Sequence, residues 1–363
     1  MLSVLKLGSS VVTDDRGVPR EPLLASLCRL VGERQRAGEQ VVVVSSGAIA
    51  RGVAALGLTA RPQGIAQLQA ASAVGQGKLF PLYDRLLAAE GLTAAQLLLT
   101  ALDLHERTRY LNAKRALETL LEWGVVPVIN ENDTTATDEI SFGDNDFLAA
   151  QVAALLQADR LLLLTDVAGI YTANPRESAE AELVAEVQDP AKLLEEITVG
   201  SPSRWGSGGI RSKLLAAQIA TAAGVETVVC NGLDPAAVAA ALSGRPLGTR
   251  FPPAPKREPA FKLWLRYAKP GRGRVVIDGG AVEALRSRGS SLLPVGVVAV
   301  EGDFAAGDAV EVVSEGGEVV AKGIVSLSAQ ELALVKGLDS GRVRALLPDG
   351  EEEAIHRDHL VLL

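Results

Sequence analysis

The sequence predicts an α/β protein: a three-layer sandwich around a mainly parallel sheet, followed by a small, mainly β domain. Three observations predict it. Six short apolar segments alternate with helical patterns, a proline-rich stretch at Gly244–Ala260 interrupts the alternation, and the remainder reads as short strands with glycine-containing turns. At 363 residues the chain is more than twice a typical domain of about 150, so one core is too few. The expected division is 1–245, a linker at 246–260, and 261–363.

The strand candidates, in order, are Ser3–Leu7, Gln40–Val44, Ala95–Leu99, Val125–Ile129, Leu161–Thr165 and Thr227–Cys230. They are β-branched or leucine-rich and mostly apolar on both faces, which suits a parallel sheet covered on both sides. Between most of them lie helical patterns, among them the run Phe147–Leu156 and the pattern that ends at Ala223. Right-handed crossovers then bring the carboxyl ends of the strands to one edge, where ligands bind in such folds. In the linker, Pro246, Pro252, Pro253, Pro255 and Pro259 remove the backbone donors that helices and central strands need.

Composition narrows the functional classes. Hydrophobic residues at 48% and charged residues at 22% exclude an extended disordered chain. Cys28 and Cys230 are too few for a disulfide framework, and no Cys or His cluster has zinc-ligand spacing. Met1 through Leu5 runs straight into Lys6, too short for a signal peptide, and Gln151 interrupts the apolar run Phe147–Leu156. No membrane association and a cytoplasmic location are therefore the default expectation. With 36 basic against 44 acidic side chains, the net charge of −8 offers no global attraction to polyphosphates or anionic membranes. Any phosphate chemistry must be local.

The loops beyond the strand ends are where such chemistry belongs. They read Lys6-Leu7-Gly8-Ser9-Ser10, Ser45-Ser46-Gly47-Ala48, Asn130-Glu131-Asn132-Asp133 and Thr165-Asp166-Val167-Ala168-Gly169. Small Gly/Ser loops let backbone N–H groups approach an anion, and a helix starting just beyond adds the favourable end of its dipole. Each alone is also an ordinary strand-to-helix turn; four on one edge are a site. Lys6 near the end of an apolar strand is a cation that either meets a partner or ligand, such as transferring phosphate oxygens, or reaches past an edge to water. The loop from Arg204 to Lys213 (RWGSGGIRSK) lacks the spacing of a Walker A loop, yet its glycines admit phosphates and put Lys213 in the first turns of a helix. Ser141–Asp146 (SFGDND) sets two carboxylates and an amide before the next helix. Asp144 or Asn145 suits a helix cap, and Asp146 suits either orienting the two lysines or holding a magnesium ion. His105 lies in a helical segment and His356 and His359 in the second part, so a histidine base is disfavoured.

These motifs together resemble the glutamate 5-kinase family of the amino-acid kinase superfamily, in the form with a C-terminal PUA domain. The resemblance rests on VLKLGSS (Val4–Ser10), SSGAI (Ser45–Ile49), VPVINEND (Val126–Asp133), FGDND (Phe142–Asp146), LLLTDVAGIYTANP (Leu162–Pro175) and GSGGIRSK (Gly206–Lys213), with RGSSLLPVGVVAVEGDFAAGDAV (Arg288–Val310) resembling the PUA module. It implies ATP-dependent phosphorylation of the L-glutamate side-chain carboxylate, the first step toward proline, with Mg²⁺ accompanying the nucleotide. It implies catalytic roles for Lys6, Lys213 and Asp146, and glutamate binding at Ser46, Gly47, Asp133 and Asn145. Nucleotide binding falls on Lys6, Gly8, Thr165, Asp166, Ser207, Gly208, Gly209, Ile210, Arg211, Ser212 and Lys213. Arg211 departs from the family pattern, which has a small or polar residue before the Ser/Thr-Lys pair, and it is expected to face solvent. The family also implies a homodimer or homotetramer and feedback inhibition by proline. N-acetylglutamate or aspartate as the acid, or an RNA-binding role, are the alternatives. Lys256, Arg257, Lys262, Arg266, Lys269, Arg272 and Arg274 form a basic cluster, but residues 256–363 hold 14 basic and 16 acidic side chains, a net −2 that opposes nucleic-acid binding.

Overall fold

A computed structural model of the chain describes residues 1–100, 103–104, 107–135, 145–199, 209–245, 247–255, 257–259, 262, 265–266, 271–348 and 351–363. It divides into two compact units, Met1–Glu258 and Pro259–Leu363.

The first unit is a seven-stranded sheet with helices on both faces. In chain order its described elements are β1 (Leu2–Leu7), α1 (Ser9–Val12), α2 (Glu21–Arg36), β2 (Gln40–Ser45), α3 (Ala48–Ala55), α4 (Ile65–Ala88), β3 (Ala94–Leu99), α5 (Arg107–Glu122), β4 (Val126–Glu131), α6 (Asn145–Leu155), β5 (Arg160–Thr165), α7 (Pro190–Val199), α8 (Gly209–Ala222), β6 (Glu226–Asn231), α9 (Pro235–Leu242) and β7 (Thr249–Phe251). The strand order is β3-β4-β2-β1-β5-β6-β7, parallel except for the antiparallel edge strand β7. All six strands expected from the sequence are present. Their apolar continuity has the expected cause: Val4, Val41, Val42, Val44, Leu161, Leu162 and Leu163 are fully buried. Below the sheet, Leu24 and Val31 of α2 and Leu79, Tyr83 and Leu87 of α4 close a core with Leu5, Val41 and Leu162. Burying each such side chain contributes about 1.5–3 kcal/mol.

Two features of this packing aim the site. Lys6 pairs with Val44 on one side and Leu163 on the other, so the lysine lies at the sheet's centre, near the carboxyl end of β1. Helices α3 and α4 approach backbone to backbone: a Cβ at Gly52 would lie 1.7 Å from the Ala71 carbonyl oxygen, and one at Gly75 would lie 1.8 Å from that of Ala48. No other residue fits there.

The proline-rich segment corrects the expectation of a plain linker at 246–260. Thr249–Phe251 forms β7 against β6, with Thr249 and Phe251 fully buried, and the first unit extends through Glu258. An edge strand needs donors along one side only, so three residues suffice before Pro252 and Pro253 end the pairing. Thr249 accepts a hydrogen bond from the Ile170 N–H at 2.7 Å and donates to the Val184 carbonyl at 2.6 Å, fixing the loop that follows β5.

The second unit is a five-stranded sheet, β12-β11-β10-β8-β9, made of β8 (Gly273–Ile277), β9 (Val297–Gly302), β10 (Ala309–Ser314), β11 (Val319–Ile324) and β12 (Leu360–Leu362). Its pairs are antiparallel except β8 with β10. Val275, Ile277, Val310, Val312, Leu332 and Ile355 fill its own core. The helix Ala329–Val335 starts with a capping box of Ser328 and Glu331. Among the described residues, no helix is long and apolar enough to cross a membrane.

Candidate active site

The carboxyl ends of β1, β2, β4 and β5 open into two adjoining pockets that share Ser9 and Ser46. At the larger of them, three elements bring their charges together. Lys6 Nζ, on β1, lies 2.6 Å from Asp146 Oδ1, and Lys213 Nζ, on α8, lies 3.1 Å from Asp146 Oδ2. Asp146 sits in the first turn of α6 with no exposed surface, and Lys6 is 3% exposed. Ser212 Oγ donates to the same Asp146 oxygen at 3.2 Å, and Lys213 also donates to the Gly209 carbonyl at 3.3 Å. Burying an unpaired ammonium costs several kcal/mol, so the shared carboxylate is what permits Lys6 to stand in the interior beside a second, partly buried cation. The cluster carries a net positive charge, aimed at the pockets.

The larger pocket, about 470 Å³, is lined by Lys6, Gly8, Ser9 and Ser10, by Thr165, Asp166 and the loop through Arg176, and by Gly209, Ile210 and Lys213. Gly8 donates to the Leu164 carbonyl at 3.1 Å, and a Cβ there would sit 3.1 Å from that oxygen, so the turn is tight against β5. Ser9 and Ser10 follow in the first turn of α1, where helix N–H groups lack intrahelical partners and are ready for an anion. Asp166 accepts from Thr165 at 3.2 Å and from Arg176 at 2.6 Å. Burial works to raise the Asp166 carboxyl, but its hydrogen bonds to backbone, Arg176 and Thr165 outweigh that and hold it below the usual range. Gly169 belongs there because a Cβ would lie 2.6 Å from Thr249 Oγ1.

The smaller pocket, about 80 Å³, is lined by Ser9, Ser46–Ala50, Arg61, Asn130, Glu131, Asp133 and Asn145. Gly47 takes a left-handed conformation, φ 95°, as the cap of α3, and so turns the chain from β2 into the helix. Asn145 Nδ2 donates to the Ser45 carbonyl at 2.5 Å and to Asn130 Oδ1 at 2.6 Å, tying the ends of β2 and β4 together. Helix α4 supports this side with two residues one turn apart. Ser72 donates to Asp133 Oδ2 at 2.5 Å, and Gln76 accepts from Asn130 Nδ2 at 2.6 Å. Burial raises the Asp133 carboxyl, against the Ser72 hydrogen bond and the Arg61 charge, which lower it. Burial also raises its neighbour Glu131, and repulsion from Asp133 adds to that, bringing Glu131 to about 7.

The structure thus gathers Lys6, Lys213 and Asp146 at one point, Gly8, Thr165, Asp166, Gly209 and Ile210 around the larger pocket, and Ser46, Gly47, Asp133 and Asn145 around the smaller. Arg211 is exposed and Ser212 faces Asp146; neither is among the described lining residues of these two pockets. Ser207, Gly208 and Asp144 lie outside the described residues. Arg61, Ser72, Gln76, Glu131 and Arg176 were not singled out from the sequence. The signal for Ser72 and Gln76 was available in their i, i+4 spacing, which sets two polar side chains on one helix face. Cys28 and Cys230 are free and buried, and burial raises both thiols well above the reactive range.

Comparison with known proteins places this geometry. Residues 1–231 match the model of the amino acid kinase family, and residues 273–347 match the PUA domain. Curated proteins named glutamate 5-kinase are similar along almost the entire chain. The protein from Chromobacterium violaceum is 46% identical over 362 residues, covering 99% of this chain and 97% of its own. The one from Synechococcus sp. (strain JA-2-3B'a(2-13)) is 45% identical, covering 99% and 98%, and that from Thermus thermophilus is 45% identical, covering 99% and 96%. Among solved structures, an isopentenyl phosphate kinase aligns with a TM-score of 0.50 at 20% identity, and a product complex of the T. acidophilum enzyme with 0.51 at 18%. Each alignment covers 69% of this chain and 100% of the other, a likeness of fold.

Proposed function

The chain belongs to the amino acid kinase family, among its glutamate 5-kinase members, and from that premise we propose how its own residues carry the reaction. The reaction transfers the terminal phosphoryl group of ATP to the side-chain carboxylate of L-glutamate, giving L-glutamyl 5-phosphate and ADP, the first step of proline biosynthesis. A carboxylate oxygen forms the new bond to phosphorus as the bond to the β-phosphate oxygen breaks. The acceptor is already ionised near neutral pH, so no general base is needed. What remains is alignment and neutralisation of charge on the migrating group.

The observation that carries the assignment of roles is the Lys6–Asp146–Lys213 cluster, whose two lysines line the larger pocket, which adjoins the smaller at Ser9 and Ser46. In this reading the larger pocket takes ATP, with its terminal phosphate at Lys6, Lys213 and the first turn of α1. The smaller takes glutamate, its γ-carboxylate at Ser9 and Ser46 and its α-ammonium at Asp133. Asp146 holds both ammonium groups in place and is a positioning residue. Thr165 and Asp166, with Gly209 and Ile210, line the path of the nucleotide. Magnesium fits as a passenger on the nucleotide phosphates, whose charge it offsets when bound. Among the described residues no three His, Cys, Asp or Glu side chains converge on a cage, and both oxygens of Asp146 face lysines.

Free glutamate suits the smaller pocket better than N-acetylglutamate, because an acylated nitrogen is neutral and would leave Arg61 as the one counter-charge to both Asp133 and Glu131 among the described lining residues. Incubating protein, ATP and Mg²⁺ with each acid and hydroxylamine traps the acyl phosphate as a hydroxamate. Glutamate gives the strongest signal; signal with N-acetylglutamate and none with glutamate would overturn this reading. Family membership further supports a homo-oligomer and inhibition by proline, which sedimentation and turnover at rising proline test.

A further inference from the structure

The smaller pocket contains a cation that this scheme has not yet used. Arg61 lines it together with Glu131 and Asp133, and Arg61 is the only Lys or Arg among the described lining residues. Its charge acts directly on the Asp133 carboxylate. Arg61 stands in the connection between α3 (Ala48–Ala55) and α4 (Ile65–Ala88), two helices that approach backbone to backbone at Gly52 and Gly75. Pro62 follows it and restricts the Arg61 backbone to extended conformations.

L-Glutamate brings three ionised groups, of which the γ-carboxylate must lie toward the lysine cluster and the α-ammonium toward Asp133. The α-carboxylate shares a carbon with that ammonium, so a site that reads the pair needs an anion and a cation side by side. Without the cation, a second carboxylate would enter a pocket that already holds Glu131 and Asp133, and repulsion would add to its desolvation. Resting on the glutamate reading above, we infer that Arg61 is a specificity-determining residue that binds the substrate's α-carboxylate beside the Asp133–ammonium contact. Arg61 thereby selects α-amino acids over acids that lack this group.

The test compares L-glutamate with its α-amide, L-isoglutamine, which keeps the shape and the γ-carboxylate and loses only the α-charge. In Arg61→Gln, kcat/KM for glutamate falls by about 10–100-fold, nearly all of it in KM, whereas the value for isoglutamine changes by less than about 3-fold. Arg61→Lys restores part of the glutamate affinity and none for the amide. Where isoglutamine turns over too slowly, its inhibition constant against glutamate replaces kcat/KM. An equal fall for both compounds would reduce Arg61 to a support for Asp133 and overturn the inference, as would an unchanged glutamate KM. Failure of the glutamate reading itself looks different: the unaltered protein then forms no hydroxamate from glutamate.

Discussion

The two sides of the reacting centre are built on opposite electrostatic plans. On the nucleotide side, buried Lys6 and partly buried Lys213 share one buried aspartate, leaving a net positive charge held between a strand and two helices. On the acid side, Glu131 and Asp133 stand close together with Arg61 as the counter-charge, leaving a net negative charge once both carboxyls ionise. Each half is incomplete in the sense its ligand supplies: phosphates for the first, an ammonium for the second. The difference teaches that the first half must be paid for in the folded state by paired charges, whereas the second stores unfavourable repulsion that substrate relieves.

The largest effect comes from breaking the positive half. Lys6→Ala and Lys213→Ala are each expected to lower kcat by about 10²–10³-fold, the loss of one preorganised charge at a transition state. KM for glutamate should move little by comparison. Steady-state kinetics at saturating ATP and Mg²⁺ separates the two constants, and near-normal turnover in both variants would remove the lysines from the chemistry. The comparison also sharpens here, because Asp146→Asn leaves Lys6 buried beside a neutral partner and should lower stability as well as turnover.

Breaking the negative half should act on binding instead. Asp133→Ala is expected to raise KM for glutamate by about 10–100-fold with a much smaller change in kcat, the worth of one buried charge-assisted contact. Ser72→Ala, which removes only the hydrogen bond that orients Asp133, should raise it by less than about 10-fold. A kcat loss in Asp133→Ala as large as that of the lysine variants would erase the distinction between the halves.

The contrast also explains what could be read from the chain. The sheet was legible because strands buried on both faces are apolar throughout, as Leu161–Leu164 are, and the phosphate side was legible because Gly8, Ser9 and the lysines are local departures from such runs. The acid side depends on contacts between distant segments. Ser72 and Gln76 acquire meaning only when α4 crosses the end of β4, and Arg61 only when two glycines draw α3 and α4 together. Thr249 was concealed differently: surrounding prolines suggested a linker, but a short edge strand needs donors on one side alone.

A change in stability tests the stored repulsion itself. Glu131 titrates near 7 in the folded protein against an ordinary value of 4.5, because burial and the Asp133 carboxylate both oppose its charge. Below the ordinary value it is neutral in folded and unfolded chains alike and costs nothing. As pH rises between the two values the unfolded chain ionises first, so folding loses stability, and above the folded value the full cost persists. Glu131→Gln should therefore be more stable than the unaltered protein by about 1–3 kcal/mol near pH 8, with most of that gain gone near pH 5. Urea unfolding at both pH values measures it, and a gap independent of pH would assign the change to packing instead. The same variant should bind glutamate more weakly near pH 8, since it gives up an anion facing the ammonium, so the repulsion that lowers stability is the one that raises affinity.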